Sequence, residues 1–273
     1  MTAIETFREL HASGCFVLPN PWDTGSARYL HHLGFAALAT TSAGFAFARG
    51  LPDEVGAIPL DATLAHLREI VTATPLPVSA DFQSGFAREL DDLAASVTAC
   101  VRTGAAGLSI EDATGDRGAP LFDRTAAIAR IRTARAAIDA TGVPAVLTAR
   151  CEAWLIRDPD AASTAIDRLV AFADAGADCL YAPGVRDPDT IATIVRAVAP
   201  RPVNVLVSAP GPGLTVRQLA DLGVRRISVG SALARVAWGA FMRAARSLAE
   251  TDAFEGLAGA TPVAELNELF APR

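Results

Sequence analysis

A unit of one short apolar run, one helix-length stretch and one glycine recurs along this chain, and that recurrence narrows the folds open to it. The apolar runs are Cys15–Pro19, Ala36–Thr41, Pro77–Phe82, Gly107–Glu111, Ala145–Arg150, Cys179–Ala182, Pro202–Val207 and Arg226–Gly230. Each is short and nearly continuously apolar, as expected of a parallel strand buried on both faces. Helices are predicted between them, for example over Leu60–Thr74, Glu89–Thr103, Arg124–Thr141 and Asp160–Ala175. Glycines stand where helix passes to strand, at Gly34, Gly104 with Gly107, Gly142, Gly176 and Gly223. A glycine just past a helix end adopts the left-handed cap conformation without steric penalty. Eight such units in 273 residues predict an α/β chain folded as one (β/α)8 TIM-type barrel over about residues 15–250. A C-terminal helical tail follows at 251–273, with a short helix at Thr261–Phe270. A doubly wound open sheet is the alternative.

Composition adds limits on function. Apolar residues make up 51% of the chain, enough for a sizeable core. The net charge of −6 speaks against a nucleic-acid surface, which usually needs a basic face. The polar N-terminus and the absence of a span-length apolar run speak against export or a membrane, so a soluble, cytoplasmic protein is expected. Cys15, Cys100, Cys151 and Cys179 have no paired close spacing and read as reduced core thiols. The four histidines, His11, His31, His32 and His66, lie in or beside helices and read as exposed helix-face residues.

In an α/β barrel the chemistry sits at the C-terminal ends of the strands. Asp81, Glu111, Asp112 and Glu152 end three adjacent runs, so four carboxylates would crowd one mouth. Crowded carboxylates repel unless something compensates. A hard divalent cation is the simplest compensation, and oxygen donors favour Mg²⁺, or Mn²⁺, over Zn²⁺. Asp112 and Glu152 are equally readable as salt-bridge partners. Asp23 and Asp123 read as helix caps. Arg150 closes an apolar strand, where it either pairs with Glu152 or a neighbouring acid or grips a substrate carboxylate through its guanidinium fork. Ser42, Ala43 and Gly44 form a small-residue turn whose N–H groups could approach an anion. Strand seven contributes Asn204 as a candidate substrate contact. Val229–Leu233 is weighed as a phosphate loop against a simple tight turn.

The runs TTSAGFAFARGLPDEVG, PVSADFQSGF, IED and TARCEAWL, with the ending RRISVGSALARVAWGAF, resemble the isocitrate lyase/phosphoenolpyruvate mutase superfamily in its short-chain, phosphonomutase-like branch. The resemblance covers nearly the whole chain and keeps the motif order. It implies that Asp81 holds Mg²⁺, that Glu111 reaches the ion through water, and that Asp53 hydrogen-bonds metal-bound water. It also implies that Ser42 and Gly44 bind a substrate carboxylate or oxyanion and that Arg150 grips the substrate. Gln83 stands at the family's second acidic position and lowers the charge of the site. The family's lyases carry a Lys-Cys-Gly type lid after strand four; here the stretch is Ala113–Asp123, with neither Cys nor Lys, though Asp116 or Arg117 could reach inward. Members tend to exchange a C-terminal helix and form tetramers, which implies a homo-oligomer, dimer or tetramer.

The resemblance implies a Mg²⁺-dependent carbon–carbon lyase or decarboxylase acting on a small, oxaloacetate-like 2-oxo acid through a stabilised enolate. Arg150, Asp53 and Ser42 would be the catalytic residues. Phosphonomutase chemistry and a non-catalytic 2-oxo acid-binding barrel are the alternatives.

Overall fold

Each of the eight apolar runs contains a strand in the computed structural model of the chain, which describes residues 1–211, 214–251 and 253–271. The strands are β1 (Phe16–Leu18), β2 (Leu38–Ala39), β3 (Val78–Ala80), β4 (Gly107–Glu111), β5 (Val146–Arg150), β6 (Cys179–Tyr181), β7 (Val203–Leu206) and β8 (Arg226–Ser228). All pair in parallel, in the order β1-β8-β7-β6-β5-β4-β3-β2. The two ends of this sheet meet: the Ala39 N–H donates to the Pro19 carbonyl at 3.1 Å. Asn20 strengthens the seam. Its amide nitrogen donates to the Thr40 carbonyl, and its oxygen accepts from the N–H groups of Val229 and Gly230. The sheet is therefore a (β/α)8 barrel, and the open doubly wound alternative is set aside.

The helices are α1 (Ala3–Ala12), α2 (Thr24–His32), α3 (Ser42–Ala48), α4 (Leu60–Ala73), α5 (Leu90–Val101), α6 (Arg124–Ala140), α7 (Ala161–Asp174), α8 (Pro188–Val198), α9 (Val216–Asp221), α10 (Ala232–Thr251) and α11 (Val263–Phe270). Asp23 and Asp123 cap α2 and α6 through the N–H groups of Ser26 and Ala126, as expected. Gly34, Gly104, Gly142, Gly176 and Gly223 all have positive φ at helix ends, so the punctuation read from sequence is the physical one. The main core lies between the strands and the helical ring, around residues such as Leu67, Ile70, Leu108, Ile138, Leu169 and Ile194. A second, smaller core closes the N-terminal end of the barrel. There Phe7 of α1 packs with Leu18, Ala37, Ala106 and Val146.

Two expectations need correction. Ser42–Ala48 is a helix, not a turn, because the Thr41 hydroxyl caps it by accepting from the Gly44 N–H at 3.2 Å. Two histidines are not on exposed faces: His66 is buried and stacks flat on Phe45 at 3.7 Å, and His11 is packed between α1 and β8. All four cysteines are free thiols. α11 rests on α2 of its own chain, where Arg28 donates to the Phe270 carbonyl at 3.1 Å. Among the described residues no helix is long and apolar enough to cross a membrane.

Candidate active site

Register brings the strand-end residues together. Glu111 pairs with Arg150 across β4 and β5, and Arg150 pairs with Tyr181 across β5 and β6. Asp81 follows the last residue of β3, fixed by a hydrogen bond from its own N–H to the Thr40 hydroxyl at 2.9 Å. Arg150 is the hub. Its guanidinium lies 2.7 Å from Asp81, 3.1 Å from Glu111 and 2.9 Å from Glu152, and 5.2 Å over the Tyr181 ring. Asp112 stands outside this group. It pairs with Arg168 at 2.9 Å and accepts from the Glu152 N–H at 2.8 Å.

The carboxylates therefore converge, but the compensating charge in this structure is a guanidinium. Three carboxylates around one cation still leave an excess of negative charge. Burial pushes the Glu111 and Glu152 carboxyls up; Arg150 opposes that shift and the other acids of the cluster add to it. Burial alone would lower Arg150, yet its three acidic neighbours hold it well above its ordinary value. Asp53, on the loop after α3, faces the same mouth; the Ser42 hydroxyl donates to it at 3.3 Å. Partial desolvation and the Asp81 charge raise it.

A cavity of about 190 Å³ runs from this cluster down the inside of the barrel. All eight strands line it, and small or polar side chains such as Ala39, Ser79, Ser109 and Ser228 replace the bulky layers that usually fill such barrels. Ser42, Ala43, Asp53, Asp81, Arg150 and Asn204 all border it. Gly44, Gln83 and Glu111 do not. The Gly44 N–H is spent on Thr41, so the expected donation to a substrate anion is not available from it. The Ser42 N–H is likewise taken by Asp81, at 2.9 Å. Gln83 lines an adjoining recess beneath α3, which Asp53 and Asp81 also border, together with Phe45, His66 and Phe86. Asn204 is tied by its amide to Ser228 and Arg226. In Val229–Leu233, the segment weighed as a phosphate loop, Asn20 occupies the N–H groups of Val229 and Gly230. Thr114–Gly118 is an exposed turn held by its own hydrogen bonds, and neither Asp116 nor Arg117 reaches the cavity.

The donor set at the mouth is oxygen only. Among the described residues no three His, Cys, Asp or Glu side chains form a ready metal cage. That still fits Mg²⁺, which typically takes one or two carboxylates and fills its other positions with water and substrate. Asp81 and Asp53, which both border the cavity, match that mode.

Sequence reasoning reached Asn204 but passed over the rest of the cavity floor. Arg226, His11 and Thr148 lie there with Asn204, and the Tyr181 phenol, pushed to about 12 chiefly by burial, lines the wall. The available signal was parity: Arg226 and Ser228 share one face of β8, the face turned inward.

The family model described as phosphoenolpyruvate phosphomutase matches residues 7–249. The chain belongs to this enzyme family, within the isocitrate lyase/phosphoenolpyruvate mutase superfamily. A provisionally named lyase/mutase from Burkholderia cenocepacia J2315 is 48% identical, with a TM-score of 0.94 over 99% of this chain and 96% of that one. Protein Rv1998c of Mycobacterium tuberculosis H37Rv is 37% identical over 96% of this chain and 94% of its own. The oxaloacetate decarboxylase of Chromohalobacter salexigens is 31% identical over 83% of this chain and 78% of its own.

Proposed function

We propose that this family member is a divalent-metal-dependent lyase or decarboxylase of a small, oxaloacetate-like 2-oxo acid, acting through an enolate. The carrying observation is Arg150, a buried guanidinium set among three carboxylates at the open end of a polar cavity. The likeness to oxaloacetate decarboxylase supports the substrate class.

Asp81 would hold the ion, with Asp53, Glu111 and Gln83 around it; Mg²⁺ fits best and Mn²⁺ next. When bound, such an ion polarises the 2-oxo carbonyl as a Lewis acid. The chain does the rest. At most three of the five Arg150 N–H donors meet protein acids, so the remainder can take a substrate oxygen as negative charge develops on it. The Ser42 hydroxyl and Asp53 orient water at the mouth. Tyr181 keeps its proton at working pH, so its phenol lines the cavity as a neutral group. A lid cysteine is absent from Ala113–Asp123, which suits cleavage that needs no strong protein base.

The test is metal-dependent loss of oxaloacetate across a panel of 2-oxo acids. Chelation should abolish turnover. Arg150→Ala and Asp81→Ala should each lower kcat/KM by about 100-fold or more. No turnover of any 2-oxo acid under any divalent metal would end the proposal. Phosphonomutase chemistry is the second reading, favoured by the matching family model; conversion of phosphonopyruvate to phosphoenolpyruvate would put it first.

The active form is proposed to be a homo-oligomer. Trp238, Phe241 and Met242, three and four residues apart, leave an exposed apolar face on α10, which a second copy would cover, with α11 leaving its own α2 for that of the partner.

A further inference from the structure

Arg226 is an unusual residue to find at the bottom of a barrel. It is 4% exposed, and it has no carboxylate partner among the described residues. A buried cation without an anion is costly. Its three contacts are neutral or held neutral. Nε donates to the Asn204 oxygen at 3.0 Å, and one terminal nitrogen donates to the Thr148 hydroxyl at 3.0 Å. The other lies 3.2 Å from His11 Nε2. His11 places its Nδ1 2.7 Å from the Phe7 carbonyl, which assigns the proton to Nδ1 and leaves Nε2 to accept. These contacts fix the plane of the guanidinium and use three of its five N–H donors.

The remaining donors face a space. Arg226 borders the cavity whose other end is Arg150. Arg226 is the first residue of β8 and Arg150 the last of β5, so the two guanidinium groups stand at the lower and upper ends of one polar shaft. Arg150 is over-supplied with carboxylates and Arg226 has none. An anion entering this shaft is repelled at the top unless it docks on Arg150 or an ion there, and is attracted at the bottom without competition.

We infer that Arg226 is the anion subsite for the distal carboxylate of the ligand, so that the site takes a 2-oxo dicarboxylate with its oxo end at Arg150 and its far carboxylate on the barrel floor. The inference rests on the oxaloacetate-like reading above and adds the residue that holds the second carboxylate. Arg226 is thus a specificity-determining residue. Asn204, Thr148 and His11 are its positioning residues, which orient the fork and contribute no charge. The small side chains at Ser79, Ser109 and Ser228 leave the passage open.

The experiment compares chain-matched ligands that differ only in the far carboxylate: 2-oxobutyrate with oxaloacetate, and 2-oxopentanoate with 2-oxoglutarate. Binding to the full chain is read by ligand-dependent thermal shift at fixed Mg²⁺, so turnover is not needed. In the wild type one dicarboxylate should bind at least about tenfold more tightly than its monocarboxylate, as a charge-assisted hydrogen-bonded pair requires. In Arg226→Met that preference should vanish while monocarboxylate affinity stays within about threefold. Arg226→Lys, which keeps the charge and loses the fork, should retain part of it. If Arg226→Met fails to fold, the wild-type ratio and the Lys variant still decide. Monocarboxylates binding as well as dicarboxylates, or a preference untouched in Arg226→Met, would overturn the inference and leave the 2-oxo acid reading standing. No binding by any of the four ligands would remove both.

Discussion

Arg150 shows how one residue can hold a site together. It neutralises part of a carboxylate cluster that would otherwise be buried charge without a partner. Arg150→Met should cost 3–5 kcal/mol at pH 8, the usual range for removing one member of a buried ion pair. The loss should shrink toward pH 5.5. Burial already favours protonated Glu111 and Glu152, and without the cation both bind protons more tightly folded than unfolded, so acid restores stability. Chemical denaturation at the two pH values checks this. His66 gives the opposite sign. Burial lowers it to about 4 from an ordinary 6.5, so the fold prefers the neutral ring. Its contribution is intact above pH 6.5 and is lost as pH falls from 6.5 to 4, on the order of 3 kcal/mol. Its Nε2 has no hydrogen-bond partner. His66→Phe keeps the stack on Phe45 and should flatten that part of the acid limb of a Tm–pH curve. A variant curve parallel to the wild type would count against it.

Elements were legible in the sequence in proportion to how local their causes are. Strand and helix order followed from periodicity and glycine punctuation, and Asp81, Glu111 and Arg150 from their places at strand ends. α3 was missed because its start depends on a single hydroxyl cap, and two of its first three residues are small ones that equally suit a turn. The Arg226 network was missed because its members lie far apart in sequence and only closure of the barrel joins them. α3 also explains why Gly44 is glycine. A Cβ there would fall 2.5 Å from Thr41 Cγ2 and 3.0 Å from Trp22 Cβ. Gly44→Ala should cost about 1–3 kcal/mol and move Ser42, with a raised KM for the substrate as the accompanying sign.

For the whole molecule, the unsatisfied surface is the C-terminal helical face. Trp238, Phe241 and Met242 share one exposed face of α10. Sedimentation of the 28.3 kDa chain should give two or four times that mass, and Phe241→Glu with Met242→Glu should return it to one. A monomeric wild type would refute this association.

The hollow interior separates two duties that most barrels combine. The shell between strands and helices carries the folding free energy, while the lumen is left to serine, alanine, asparagine and arginine. Inward-facing positions other than Arg150 and its carboxylate partners can therefore be rewritten with little risk to the scaffold. A change of two or three lumen side chains could adapt this barrel to acids of another length or charge, and descendants of one ancestor could diverge in diet while remaining nearly superimposable.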